Sequence, residues 1–122
     1  MTMDIIQVSN EIKKRIKQLE EGRKILKERA EVKAEKIAEY DKIMAITILK
    51  LKNGELVKID DTHVSGTMPV SIIDKVARGV CWKEKLEMEK ADGMYRAAVS
   101  GISSLETEMS GLQTIFKYMK EI

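Results

Sequence analysis

From Lys83 to Ile122, apolar side chains recur at alternating steps of four and three: Ala91, Tyr95, Ala98, Ile102, Leu105, Met109, Leu112, Phe116, Met119. This spacing lays a narrow stripe along one side of a helix and matches the 3.5-residue repeat of a coiled-coil seam. At 1.5 Å per residue such a helix runs roughly 60 Å, so its stripe needs another long helix to cover it. The first half of the chain offers one. Ile5, Ile12, Ile16, Leu19, Leu26, Ala30, Ile37, Tyr40, Met44 and Leu51 follow the same alternation, interrupted at Ser9, Arg23, Lys33 and Thr47. Asp4 suits the positive end of that helix. Gly22 costs about 1 kcal/mol relative to Ala and reads as a bend or as an exposed, tolerated glycine. A second, weaker line, Ile25, Val32, Ile43 and Ile46, runs beside the seam. It implies a further helix from a second copy of the chain; the plainer reading is scattered surface aliphatics.

Between the two stripes the periodicity stops. Asn53-Gly54 is a two-residue turn signal flanked by Leu49-Lys50-Leu51 and Leu56-Val57-Lys58-Ile59, which predicts a small β-hairpin. The competing outcome is that the first helix stops at Asn53 with Gly54 as its C′ residue. Asp60-Asp61-Thr62-His63 and Ser65-Gly66-Thr67 are turn material. After Pro69, Ser71 with Asp74 forms a candidate capping box for a short helix over 71–78, presenting Ile72, Ile73, Val76 and Ala77 and closed by a left-handed Gly79. The long helix restarts near Val80 or Trp82. Gly93, Gly101 and Gly111 lie within it at about 1 kcal/mol each. Ala97, Gly101, Ser104 and Gly111 lie alongside the stripe and read either as permission for a close helix neighbour, within the hairpin or across a dimer, or as local flexibility.

The expected fold is mainly α: a long antiparallel helical hairpin of coiled-coil type, with a small β-hairpin and short helix at its tip, forming an oligomeric helical bundle. The chain of 122 residues is taken as one domain. Its parts are helix 1 over 4–51, the tip over 52–70, the connector helix over 71–79 and helix 2 over 80–120. With 4% aromatic and 34% charged residues, composition agrees with long helices and not with a sheet-based enzyme.

Formal net charge is +2, which makes no overall electrostatic case for nucleic acid. A single cysteine, Cys81, rules out an internal disulfide and favours a reducing compartment. The Met-Thr-Met-Asp start lacks a leader pattern, and no apolar run is long enough for a membrane span. The expected location is the cytoplasm of a bacterial host cell. No catalytic group, metal site or cofactor is expected. His63 is the only histidine, no His or Cys pair has ligand spacing, Asp60-Asp61 falls short of a calcium site, and no phosphate-binding glycine loop is present.

The densest basic spot is Lys13, Lys14, Arg15 and Lys17. Phosphate contacts need only local positive charge on flexible side chains, while the plain reading is a solvated helix face. Trp82, beside Arg78 and Lys83, either anchors a partner or seals the short helix against the tip. These seven residues are the candidate contacts for a partner or for nucleic acid.

Three stretches carry a family resemblance. Lys33-Ala34-Glu35 through Tyr40-Asp41-Lys42-Ile43-Met44-Ala45 resembles the end of the first helix in small helical early-region proteins of bacteriophages and prophages of Gram-positive bacteria. Pro69 to Gly79 resembles their proline-led, glycine-closed connector. Glu89-Lys90-Ala91-Asp92-Gly93-Met94-Tyr95-Arg96-Ala97-Ala98 resembles their second-helix motif. The resemblance implies genes near replication and recombination functions, mostly without assigned activity. With that context, the basic spot on helix 1 and the lack of catalytic residues, the expectation is a non-enzymatic accessory protein that binds single-stranded DNA, a recombinase or a single-strand-binding protein, and the extra apolar line adds itself as a partner, as a homodimer or higher. The alternative is an anti-defence protein that inhibits a host immune effector, as anti-CRISPR proteins do, or sequesters a nucleotide signal.

Overall fold

The structure, a computed structural model, describes residues 4–121. Met1 to Met3, part of the start read as lacking a leader, and Ile122, the last residue of the stretch that carries the α3 stripe, lie outside them. The elements run α1 (Ile5–Lys52), β1 (Val57–Ile59), β2 (Thr62–Val64), α2 (Val70–Val80) and α3 (Trp82–Glu121). A long N-terminal helix packs on a long C-terminal one, with a small two-stranded sheet between them in the chain. Two compact units result, one from residues up to Ala30 and from Met94 onward, the other from Glu31–Gly93.

In the first unit, α1 opens on a reciprocal cap. The Gln7 N–H donates to Asp4 Oδ1 at 2.8 Å and the Asp4 N–H donates to Gln7 Oε1 at 2.9 Å, a capping box with glutamine in the third position. The α3 stripe from Tyr95 to Met119 is buried or half-buried at every position read from the spacing. On α1 the seam differs from the expected one. Val8 is fully buried, and Ile12, Arg15, Leu19, Gly22 and Leu26 continue inward, while Ile5 and Ile16 are exposed. Arg15 takes the seam place, so Ile16 is turned about 100° away, one residue along a 3.6-residue helix. Gly22 is half-buried and not an idle surface glycine: a Cβ there would lie 3.3 Å from Ile102 Cγ1, so its missing side chain gives Ile102 room.

In the second unit two of the expected interruptions of the seam are inward-facing polar residues. Lys33 Nζ pairs with Asp92 Oδ1 at 3.0 Å. Thr47, buried, lies with its Oγ1 3.4 Å from Cys81 Sγ. Ile37, assigned to the seam from spacing, is exposed. The predicted hairpin about Asn53-Gly54 does not form; the competing outcome does. Leu49 to Lys52 stay helical, and the Glu55 N–H donates to the Lys50 carbonyl at 2.9 Å, with the Gly54 N–H donating to that of Leu51 at 3.2 Å. This is a Schellman ending, whose left-handed C′ residue is Gly54 at φ 70°.

The hairpin lies further on. β1 and β2 pair antiparallel as Val57↔Val64, Lys58↔His63 and Ile59↔Thr62, turning through Asp60-Asp61. Asp60 has φ 50°, a left-handed conformation that aspartate tolerates better than bulkier residues. Then α2 begins after Pro69, with no side-chain cap, so the Ser71–Asp74 box is absent, and it continues through Gly79 to Val80. Gly79 does not take a positive φ; a Cβ there would sit 3.8 Å from Ile59 Cδ1. The core of this unit is Leu51, Val57, Ile73 and Ala77, with Met44, Ile48, Val64, Met68, Val76 and Val80 packed on it.

Ile73→Ala is expected to lower stability by about 2–4 kcal/mol through lost burial and a residual cavity. Gly54→Ala should cost roughly 1–2 kcal/mol through the left-handed backbone, although open space surrounds its Cβ position. Urea midpoints check both; an unchanged midpoint for Ile73→Ala would contradict the assigned core.

Candidate partner-contact surface

The seven candidate contacts divide between the units. On α1 in the first unit, Lys13, Lys14 and Lys17 are exposed and Arg15 is half-buried. Arg15 is engaged within its own unit. Its Nη1 donates to Gln18 Oε1 at 3.2 Å and lies 3.5 Å from Glu11 Oε2, and its Nε lies 2.7 Å from Glu108 Oε2. The Nε–H does not point along that short approach, so the contact is an ion pair and not an aligned hydrogen bond. Three lysines are therefore what this part of α1 offers to an anion in solvent.

In the second unit, α2 passes into α3 through one residue. The Cys81 N–H donates to the Ala77 carbonyl and its own carbonyl accepts from the Lys85 N–H, both at 3.0 Å. Fully buried and set against Thr47, Cys81 holds the start of α3 in place. Trp82 follows at once and stays 42% exposed. Lys83 Nζ stands 5.5 Å from the ring centroid, within reach of a cation–π interaction. A shallow cavity of ≈ 240 Å³ opens beside it, bounded by Lys58, Asp60, Val80, Trp82, Lys83 and Glu84. Arg78 is exposed in the last turn of α2.

Lys58 and Asp60 were missed because the sequence placed the hairpin turn at Asn53-Gly54 and not at Asp60-Asp61. Cys81 is buried against Thr47, while His63 is exposed on β2. Among the described residues no group of three or more His, Cys, Asp or Glu side chains could hold a metal ion. No described helix is long and apolar enough to cross a membrane.

No protein-family model, no curated protein and no solved structure matches the chain.

The different settings of the basic residues separate stability from binding. Arg15→Ala should lower stability by about 0.2–1 kcal/mol, the range of partly exposed ion pairs. Lys14→Ala should stay within about 0.5 kcal/mol of the parent. Denaturant titration of both variants checks the contrast.

Proposed function

We propose that this chain is a non-enzymatic accessory protein of a phage or prophage, self-associating and cytoplasmic, that binds single-stranded DNA or its protein complexes during recombination or replication. The observation that supports the reading is the 42% exposed Trp82 beside Lys83 and Lys58. Single-strand binders join aromatic platforms for bases to cations for the backbone. Tryptophan is also the residue type that most often anchors protein interfaces. Lys83 covers part of the ring, so an incoming base or apolar side chain displaces its amine, which is then free to meet a phosphate. Lys13, Lys14 and Lys17 add a second exposed basic surface in the first unit.

The test is fluorescence titration of the full chain with an oligothymidylate, following Trp82, the only tryptophan. Quenching that weakens as salt rises is expected, because phosphate contacts release counterions. Trp82→Ala, followed by anisotropy of a labelled oligonucleotide, should weaken binding about tenfold, within the range of one lost stacking contact. No binding at low salt removes the direct DNA reading. Copurification from infected cells then distinguishes a recombinase or single-strand-binding protein from a defence nuclease.

A further inference from the structure

We propose that the cavity beside Trp82 selects guanine among the bases of a single strand, the Asp60 carboxylate accepting hydrogen bonds from N1–H and the 2-amino group while the base lies on the indole. The inference rests on the single-strand binding in the reading above and names the base that the same site takes.

The cavity, ≈ 240 Å³, is lined by cations and carboxylates together: Lys58 and Lys83, and Asp60 and Glu84, around Trp82 and Val80. Its volume lies below the roughly 300–1,000 Å³ of pockets for drug-sized ligands, a scale that suits one flat base. Strand backbone alone does not account for this lining. A phosphate attracts the two lysines and is repelled by both carboxylates, so the carboxylates face the uncharged part of the ligand. Among the described residues no ion pair engages Asp60 or Glu84, which leaves their oxygens to an incoming donor.

The chemistry of a carboxylate then decides the base. When ionised it only accepts hydrogen bonds, through two oxygens. Proteins read the Watson–Crick edges that unpaired bases expose. On guanine that edge holds two neighbouring donors, N1–H and the 2-amino group. Thymine has one donor between two carbonyls, and adenine and cytosine each set an amino group beside an acceptor nitrogen. Guanine alone meets both oxygens. Of the two carboxylates, Glu84 sits two residues from Trp82 on α3, about 200° around the helix axis. Asp60 comes instead from the turn between β1 and β2, on a shorter side chain, so a separate element brings it to the cavity.

Anisotropy of short labelled strands titrated with the full chain tests this, using thymidine alone, alternating thymidine and guanosine, and alternating thymidine and inosine. Inosine keeps the purine stacking of guanine and lacks the 2-amino donor. The guanosine strand should therefore bind about tenfold more tightly than the inosine strand, within the range of one bidentate base contact. Asp60→Asn should remove most of that ratio while thymidine strands still bind. Asparagine tolerates the left-handed backbone at φ 50° as aspartate does; should the variant lose its helical signal, the parent's ratio of guanosine to inosine binding decides. Equal binding of those two strands by the parent overturns guanine selection and leaves single-strand binding standing. A ratio unchanged in a folded Asp60→Asn chain overturns the assignment to Asp60. A parent that binds none of the strands overturns single-strand binding and this inference with it.

Discussion

An apolar stripe on a long helix has to be covered, and everything else in this protein is arranged around that requirement. The α3 stripe is narrow, one or two residues per turn, and its buried positions, Ala91 and Met109 among them, face inward in both units. Such a seam is satisfied by one neighbouring helix. It leaves the remainder of each helix to solvent or to another molecule, which is why Ile25, Val32, Met94 and Ile115 remain open. A thin core spread along helices buries less apolar surface than a compact one, and hydrophobic stabilisation scales with the area removed from water.

Polar groups within the seam restrict which alignments satisfy it. A stripe of aliphatics alone tolerates slippage by a heptad, whereas a polar residue must find its particular partner. Arg15 with Glu108 and Lys33 with Asp92 are long-range pairs of this kind, one in each unit. Thr47 against Cys81 is a third, and it ties α1 to the one-residue junction between α2 and α3. That junction sets Trp82 at the mouth of a cavity shared with β1 and its turn. Helix alignment and the placement of the candidate contact are thus consequences of the same few polar residues.

Two open surfaces differ in kind. Around Trp82 an aromatic ring stands beside Lys58 and Lys83, held by short connections. Around Ile25 and Gly101 the surface is an open groove with a mainly apolar lining. They belong to separate units, so engagement of one does not consume the residues of the other.

Local rules on α3 and at the ends of α1 were legible in the residues themselves. The 4–3 spacing identified the buried face of α3 at each position, Asp4 marked the start of α1, and Gly54 its end, as one of two competing outcomes. These follow from backbone geometry and capping, which depend on neighbours in sequence. The α1 seam was only partly legible, because hydrophobicity assigned Ile16 and Ile37 inward; Arg15, paired with Glu108 on the opposite helix, holds the place beside Ile16, and Lys36, paired with Glu39 on its own helix, the place beside Ile37. Asn53-Gly54 fits a hairpin turn and a helix C-cap equally well; the core formed by Leu51, Val57, Ile73 and Ala77 decided between them. Placing Lys58 beside Trp82, or Ile25 beside Gly101, required the chain to double back, since each pair joins residues whose separation carries no periodic signal. Sequence alone determined which stretches are helical and which face of α3 is oily; only tertiary packing decided which polar residues cross the seam and which surfaces stay open, because those depend on partners that local spacing does not encode.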